Sequence, residues 1–169
     1  MKVLDTKKSK LQKLESKFGS NNIEYILSTS DSVQSAINES DMVIGSVYVV
    51  GKEAPKVVFK DMLKSMNPGT VMVDVSIDQG GCFETSRPTT HDNPTFVEND
   101  IVHYCVTNMP GAVPLTATQA LNKVTLKYIE DLANKGVENA LTEDEHLRNG
   151  LNIQDGEITH PAVRDALNN

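Results

Sequence analysis

The sequence predicts an α/β fold: an incomplete doubly wound parallel sheet followed by a C-terminal helical extension. Apolar runs that suit strands alternate with helical patterns over residues 1–114, which is typical of parallel sheets. Two runs, at 41–47 and 70–77, are almost continuously apolar, as strands covered on both faces require. The chain also opens on a strand that ends in Asp5, with no glycine-rich turn before it. We therefore expect the first strand of the sheet and its glycine-rich turn to be absent.

The first helix and the strand after it have clear local signals. Leu11, Leu14 and Phe18 fall at i, i+3 and i+7, which predicts a helix with one apolar face. Gly19 predicts the end of this helix, because glycine tolerates the backbone conformation of a helix stop. The apolar residues of segment 23–27 then predict a strand.

Further elements follow before residue 107. Residues 31–40 predict a short helix that turns its apolar side chains inward. The segment 57–66 predicts another helix, closed by the turn at 67–69. Residues 101–106 predict a third buried strand. The regular alternation extends the predicted parallel sheet along the chain.

The pattern changes after Pro114. Residues 116–135 predict one long helix, for which Gly136 is the expected stop. The stretch 137–157 is acidic and more weakly patterned. The tail at 158–163 is apolar enough that we expect it to pack on another part of a protein.

The composition describes an acidic protein without a membrane or export signal. Lys and Arg number 16 against 23 Asp and Glu, a net charge of −7, which argues against nucleic-acid and anionic-membrane partners. No apolar run reaches the roughly 18 residues that a membrane span needs, and no signal-peptide pattern is present. Cys82 and Cys105 are expected to be reduced in a cytoplasmic protein, with a single disulfide as the alternative. No Cys/His cluster predicts a metal, and His91 and His103 are expected to be structural or exposed.

Asp5 is the first candidate for chemistry. A carboxylate at the end of the second strand of a dinucleotide-binding unit accepts the ribose hydroxyls of NAD and repels the 2′-phosphate of NADP. The alternative, given equal weight, is that Asp5 caps the helix that begins near Lys7. Lys10 lies one turn further on, either near the adenosine or in solvent.

Asp78 is the second candidate. An apolar strand delivers it to a carboxyl-terminal strand end, where open α/β sheets bind ligands. Gly80 and Gly81 follow and let the backbone turn tightly. A carboxylate there could orient a substrate ammonium or assist proton transfer. Taken by itself, the motif is more often an ordinary turn.

Three weaker candidates complete the site. The loop 106–114 offers the amide of Asn108 and the apolar side chain of Met109, although a plain strand–helix connection is the simpler interpretation. The backbone of residues 45–51 could cover a cofactor at a strand end. Arg87 could bind a pyrophosphate or a carboxylate.

Taken together, these segments resemble the alanine dehydrogenase family and its relative, the proton-pumping nicotinamide nucleotide transhydrogenase. The resemblance runs over essentially the whole chain, and its C-terminal part is more similar to the dehydrogenase. The segments that carry it are 41–45, 73–84, 86–90, 108–114, 148–152 and 158–163. It implies a Rossmann-like cofactor domain in residues 1–114, and a long helix and tail in 115–169 that belong to the substrate domain of intact relatives.

The resemblance also implies an activity and a set of roles. The family catalyses NAD-dependent, reversible oxidative deamination of L-alanine to pyruvate and ammonium, commonly as a hexamer. By position, Asp78 is the catalytic acid of this half, Asp5 and Lys10 hold the adenosine ribose, and Ser28 lies near the adenine. The remaining implied cofactor contacts are Val47, Tyr48, Val75, Ser76, Ile77, Arg87, Val106, Thr107, Asn108 and Met109.

The chain departs from the family in what its 169 residues contain. Family members carry an amino-terminal substrate domain with a catalytic His, a substrate-binding Lys and an Arg, and the central strand of the sheet precedes the region matched here. We expect the sheet to expose two unpaired edges, or its second strand to pair directly with the fourth. We also expect little alanine oxidation without a partner that supplies the other half. The alternatives are a non-catalytic NAD-binding or assembly module and the nucleotide-binding part of a transhydrogenase.

Overall fold

The computed structural model describes residues 1–167 and divides into two compact units. The first unit contains Met1–Tyr48 and Glu53–Thr107, and it holds the sheet. The second contains Val49–Lys52 and the chain from Asn108 onward, and it is mainly helical. No helix within residues 1–167 is long and apolar enough to cross a membrane.

Short parallel strands and flanking helices build the first unit, which confirms the predicted α/β class. Its regular elements are β1 (Lys2–Asp5), α1 (Lys8–Phe18), β2 (Glu24–Leu27), α2 (Ser30–Asn38), β3 (Met42–Gly45), β4 (Val71–Asp74), β5 (Thr95–Glu98) and β6 (Ile101–Tyr104). Two 3₁₀ helices lie between them, at Lys60–Ser65 and Ile77–Gln79. The predicted ends of α1 agree with the structure, because Gly19 adopts a φ of +71° and stops the helix.

The strands form two sheets rather than one. β1 pairs with β2 in parallel, and a separate sheet has the order β3-β4-β6-β5. β1 and β3 therefore each keep one unpaired edge, which confirms the first of the two arrangements expected from the sequence. Direct pairing of β1 with β3 does not occur.

β5 is the one strand of the first unit that the sequence analysis missed. It runs antiparallel to β6, with Thr95 opposite Tyr104. Asn99 and Asp100 join the two strands as a two-residue turn, both with positive φ, at 51° and 61°. Two such residues between apolar runs are typical of a tight hairpin, so the signal was present in the sequence.

The hydrophobic core of the first unit packs against the larger sheet. It centres on large buried side chains, namely Val58, Leu63, Met72, Phe83 and Ile101. The predicted helix over 57–66 is wrong: only Lys60–Ser65 is helical, and it is 3₁₀. Val58 instead bridges to Phe83 in a strand-like contact, so its backbone is unavailable to a helix.

Two predicted strands are shorter than expected, and one of them is also less covered. β3 ends at Gly45 and β4 at Asp74. The expectation that β3 is covered on both faces is also wrong, because Met42 and Ile44 are 57% and 63% exposed. Both belong to the strand whose second edge has no neighbour, which explains their exposure.

The second unit is built around one long helix. Its elements are α3 (Pro114–Lys135), α4 (Val137–Glu143), α5 (Glu145–Asn149), β7 (Ile153–Gln154), β8 (Glu157–Ile158) and α6 (Pro161–Leu167). Gly136 stops α3 as predicted, and Lys135 pairs with Asp131 and Glu143 at 2.9 and 3.1 Å. The apolar tail packs within this unit, where a Cβ on Gly51 would lie 2.6 Å from that of Ala162.

Candidate functional site

The candidate residues of the first unit follow the carboxyl ends of its parallel strands. β1 ends at Asp5, β3 at Gly45, β4 at Asp74 and β6 at Tyr104. Ligands of open parallel sheets bind at this end, because the loops that leave the strands converge there. The topology therefore places the predicted residues where a ligand site is expected.

Asp5 lies beside two of the residues predicted to accompany it. Its Oδ1 accepts a hydrogen bond from the Lys7 N–H at 2.7 Å, and its Oδ2 lies 3.6 Å from Lys10 Nζ. The Ser28 N–H donates to the Asp5 carbonyl at 3.0 Å, so the ends of β1 and β2 are adjacent. The helix-cap alternative is not supported, since the N-cap position of α1 is Lys7 and no side chain caps it.

The loops after β3 and β4 are joined through Ser76. The Val47 N–H donates to Ser76 Oγ at 2.8 Å, and the Ser76 hydroxyl donates to the Val47 carbonyl at 2.9 Å. The Val75 N–H donates to the Gly45 carbonyl at 2.8 Å. Val75 and Tyr48 are exposed beside this connection. The predicted residues at 47–48 and 75–76 are thus held next to each other by hydrogen bonds through the buried Ser76.

Asp74 organises the loop that carries Asp78. The Asp74 carboxylate is fully buried. It accepts hydrogen bonds from the N–H groups of Ser76 and Cys82, at 2.9 and 2.8 Å, and from the Ser86 hydroxyl at 2.6 Å. These hydrogen bonds hold both ends of the loop 75–86 against the end of β4.

Two glycines allow that loop to close. Gly80 and Gly81 have φ values of +85° and +75°, which disfavour side chains. A Cβ on Gly81 would lie 2.8 Å from Asp74 Oδ2. Lys56 Nζ also donates to the Gly81 carbonyl at 2.7 Å. Asp78 is presented as an exposed carboxylate on the 3₁₀ turn that begins at the buried Ile77.

The sequence pattern pointed to Asp78 and not to Asp74. The available signal was a carboxylate inside an apolar strand, Val73-Asp74-Val75, because a charge at such a position requires buried hydrogen-bond donors. Those donors lie up to twelve residues further along the chain. Their convergence on Asp74 is a property of the fold.

Both cysteines are free and buried. Burial and then the neighbouring Asp74 carboxylate raise the pKa of the Cys82 thiol from 9.0 to about 12. Burial also raises the pKa of Cys105. The thiols are therefore neutral, and neither is an activated nucleophile.

We expect Cys82 to resist labelling by Ellman's reagent in the folded chain at mildly alkaline pH, and to react rapidly in guanidinium chloride. Because the folded thiol retains its proton between about 9 and 12 while the unfolded thiol loses it, this group lowers stability as pH rises through that window. A Cys82→Ser variant shows which part of the labelling signal comes from this thiol. Labelling of folded Cys82 at the rate of a free thiol would contradict the assignment.

Arg87 is placed differently from the other candidates. Its guanidinium lies 4.2 Å from the centre of the Phe96 ring on β5. Phe96 in turn stacks on the buried His103, at 4.8 Å between ring centres. His103 also lies 2.8 Å from the Thr85 hydroxyl, and burial lowers its pKa.

The residues predicted after β6 are divided between the two units. Val106 is buried, and the Thr107 N–H donates to the Thr89 carbonyl at 3.1 Å in the first unit. Asn108 and Met109 belong to the second unit. Asn108 has a φ of +55° and precedes the 3₁₀ helix Met109–Ala112.

An open cleft separates the unpaired edges of β1 and β3, and we call it the edge cleft. Its volume is about 350 Å³, and its lining includes Ser28 and Val47 among the predicted residues. Most of its wall is apolar, with Leu4, Ile44 and Phe83 contributing. No group of three or more His, Cys, Asp or Glu side chains within residues 1–167 is arranged to hold a metal.

Comparisons with known proteins match almost the whole chain. The family described as "Alanine dehydrogenase/PNT, C-terminal domain" matches residues 1–161. Alanine dehydrogenase of Halomonas elongata is 50% identical over 165 residues, which cover 98% of this chain and 44% of that protein. Alanine dehydrogenase of Staphylococcus saprophyticus is 46% identical over 167 residues, covering 98% and 45%. The chain thus spans less than half the length of these relatives.

Solved structures agree with the sequence comparison. An L-alanine dehydrogenase superposes with a TM-score of 0.86 at 45% identity, covering 99% of this chain and 46% of that one. A transhydrogenase from Sinorhizobium meliloti superposes with a TM-score of 0.70 at 21% identity, covering 95% and 42%. The second likeness is one of fold alone, and both confirm the Rossmann-like arrangement expected from the sequence.

Proposed function

This chain belongs to the alanine dehydrogenase/PNT C-terminal domain family, and we propose that it is the NAD-binding part of an L-alanine dehydrogenase. The observation that carries the proposal is the position of Asp5, a carboxylate at the carboxyl end of β1 in a chain 50% identical to such an enzyme. The family implies a nicotinamide cofactor. The choice of NAD over NADP rests on Asp5.

The geometry around Asp5 fits the ribose of an adenosine. Only its Oδ1 is engaged by a backbone N–H, and Oδ2 faces the Lys10 ammonium at 3.6 Å. An oxygen in this state can accept a ribose hydroxyl, and its charge disfavours a 2′-phosphate. Ser28 lies at the adjacent strand end, beside the proposed adenine position.

The loops after β4 and β6 would hold the nicotinamide end. NAD supplies the hydride acceptor of the reaction when it is bound. The bonds between Val47 and Ser76 hold the loops after β3 and β4 together, and we assign cofactor contacts to residues 47–48, 75–78 and 106–107 around them. Arg87 would contribute only by leaving its stacking position on Phe96.

Asp78 is the residue of this chain that we assign to proton transfer. Its carboxylate is exposed on a turn held in place by the Asp74 bonds, with Ile77 buried beside it. A carboxylate so placed can orient the ammonium of alanine or accept a proton from it. Oxidative deamination to pyruvate and ammonium would also require the region of the relatives that this chain does not span.

We further propose a cytoplasmic location and self-association. Two free, buried cysteines suit a reducing compartment. Self-association is supported by α3, none of whose residues is buried within the chain. Its exposed apolar side chains include Leu115, Leu126 and Ile129, which lie on one face of the helix. A hexamer like that of family members would cover such a surface.

A fluorescence titration with NADH, with NADPH as the control, tests nucleotide binding. We expect saturable binding that prefers NADH, and an Asp5→Ala variant weakened by about 1–3 kcal/mol, the usual cost of losing a charged hydrogen-bond partner. Asp41→Ala is the matched control, because it removes an exposed carboxylate next to the amino end of β3. Equal NADH affinity in the Asp5 and Asp41 variants would refute the ribose assignment.

A further inference from the structure

The loop after β4 lies beside a second segment of the first unit, residues 53–58, which we call the strap. The Ala54 N–H of the strap donates to the Gln79 carbonyl at 2.8 Å. Three residues further along both segments, the Val57 N–H donates to the Cys82 carbonyl at 2.8 Å. Backbone hydrogen bonds therefore hold the strap at two points, and its middle faces the two loop carbonyls between them.

Lys56 supplies the donors for those two carbonyls. Its Nζ donates to the Gly80 carbonyl at 2.5 Å and to the Gly81 carbonyl at 2.7 Å. Pro55 precedes it and has no N–H, so the strap backbone cannot donate at that position. The lysine side chain thus takes the place of a backbone donor, and four consecutive carbonyls of the loop, 79–82, accept hydrogen bonds from the strap.

The two glycines are the part of the loop that gains most from an external hold. Both have a left-handed φ, and glycine loses more conformational freedom on folding than any other residue. An ammonium that bonds to both carbonyls restrains two successive peptide groups, and a charged donor makes a stronger hydrogen bond than a neutral one. Lys56 is itself exposed, so holding its ammonium there orders a long side chain that water would otherwise leave free.

Asp78 lies between two points at which the chain is held. On its amino-terminal side, the Ser76 N–H donates to the buried Asp74 carboxylate at 2.9 Å. On its carboxyl-terminal side, Lys56 holds the carbonyl of Gly80, two residues further along. The backbone of Asp78 is therefore restrained from both sides, although its carboxylate is exposed.

We propose that Lys56 is a positioning residue of the candidate site, whose ammonium holds the Gly80-Gly81 turn so that Asp78 keeps one arrangement toward cofactor and substrate. This role rests on the proposed function of Asp78, whereas the hold on the turn is measurable without NAD. A loop that is ordered in advance binds its ligand more tightly, because the cost of ordering it is not met on binding. Lys56 acts through the turn and needs no contact with the nucleotide.

NMR-detected hydrogen exchange of the full chain measures the hold on the turn. Lys56→Met keeps an unbranched apolar stem and removes the ammonium. The amides of Gly80 and Gly81 should then exchange about tenfold faster or more, since a hydrogen bond from a charged group is lost. Both amides donate to carbonyls of the turn at 3.0 Å, so their exchange reports its opening. The amides of β4 should keep their wild-type rates.

Two further variants separate positioning from the removal of a charge. Lys64→Met is the matched control, because Lys64 is exposed and its ammonium pairs with the exposed Asp61. It should leave exchange in the turn unchanged. Lys56→Arg keeps the charge and several N–H donors, so it should restore most of the protection. The urea midpoint of each variant should stay within about 0.5 M of the wild type, because exposed charged groups contribute little to global stability.

Titration with NADH connects the turn to the nucleotide. We expect Lys56→Met to weaken NADH binding by about three- to tenfold, the effect of ordering a loop on binding. Lys56→Arg should recover most of the affinity, and Lys64→Met should match the wild type. A loss of affinity without faster exchange in the turn would make Lys56 a direct contact of the nucleotide and refute the positioning role.

Other results would also overturn the proposal. They are unchanged exchange of the turn amides in Lys56→Met, an equal effect of Lys64→Met, and a lower urea midpoint with faster exchange throughout β4, which would make Lys56 a part of the global fold alone. Faster exchange in the turn with unchanged NADH affinity would show that the hold has no bearing on binding. If the wild-type chain binds no NADH, the proposed nucleotide function fails, while the exchange rates still decide whether Lys56 holds the turn.

Discussion

The Asp74→Ala variant is expected to lose about 3–5 kcal/mol of its free energy of unfolding, since each donor left buried without an acceptor costs about 1–3 kcal/mol. The Asp74 carboxylate is fully buried and accepts from the N–H groups of Ser76, Cys82 and Phe83 and from the Ser86 hydroxyl. Alanine removes the acceptor of all these donors at once and leaves a void in its place. The individual costs are not additive, which limits the total.

Urea denaturation followed by circular dichroism measures this loss. Asp74→Asn keeps the shape and one acceptor oxygen, so its loss should be smaller than that of alanine. Asp61→Ala is the control for removing a carboxylate, because Asp61 is exposed and pairs with the exposed Lys64. Equal midpoints for Asp74→Ala and Asp61→Ala would show that the buried hydrogen bonds contribute nothing to stability.

The Gly81→Ala variant is expected to lose about 2–4 kcal/mol, because it combines a left-handed backbone with overpacking. Gly81 has a φ of +75°, and an added Cβ would lie 2.8 Å from Asp74 Oδ2 and 2.9 Å from Ser86 Cβ. Neither neighbour can move freely, since the Asp74 carboxylate is held by its buried donors. The loop must therefore shift, and the hydrogen bonds around it weaken.

Gly69→Ala separates the two contributions to this loss. Gly69 has a φ of +86°, and an added Cβ would meet nothing within 4 Å. Its variant should lose only the backbone cost, about 1–2 kcal/mol. Equal losses at Gly69 and Gly81 would mean that the contact with Asp74 has no effect.

A double-mutant cycle provides a sharper comparison. In the Asp74→Ala/Gly81→Ala variant the carboxylate that the new Cβ would strike is gone, so the total loss should be smaller than the sum of the two single losses. The two residues are in direct contact, which is the condition under which such coupling is measurable. Additive losses would contradict the steric explanation.

Local signals in the sequence predicted the helices α1, α2 and α3. The periodicity of Leu11, Leu14 and Phe18 identified α1, and glycines correctly marked the ends of α1 and α3. These features depend on residues within one or two turns of each other, so no tertiary information is required. The missed β5 also has a local signal, in the Asn99-Asp100 turn.

Other features required contacts between distant residues. The helix expected over 57–66 fails because the Val57 N–H donates to the Cys82 carbonyl, 25 residues further along the chain, at 2.8 Å. Asp74 was not selected because its donors are separated from it in sequence. The pattern of apolar residues carries no information about hydrogen-bond partners that are distant in sequence. It therefore favoured a helix over 57–66, and it gave no reason to select Asp74 rather than Asp78.

The sequence by itself determined the α/β class, the order of the elements from β1 to β3, the family, and the position of Asp5 at a strand end. It left two arrangements of the strands open, unpaired edges or direct pairing of the second strand with the fourth, and the structure has the first of them. Only the tertiary structure decided that those edges line a common cleft, that Ser76 joins the loops after β3 and β4, and that Asp74 anchors the turn of Asp78. The physical reason is range: helix stops and strand patterns arise from neighbouring residues, whereas buried hydrogen bonds and open edges depend on which distant segments the packed chain brings together.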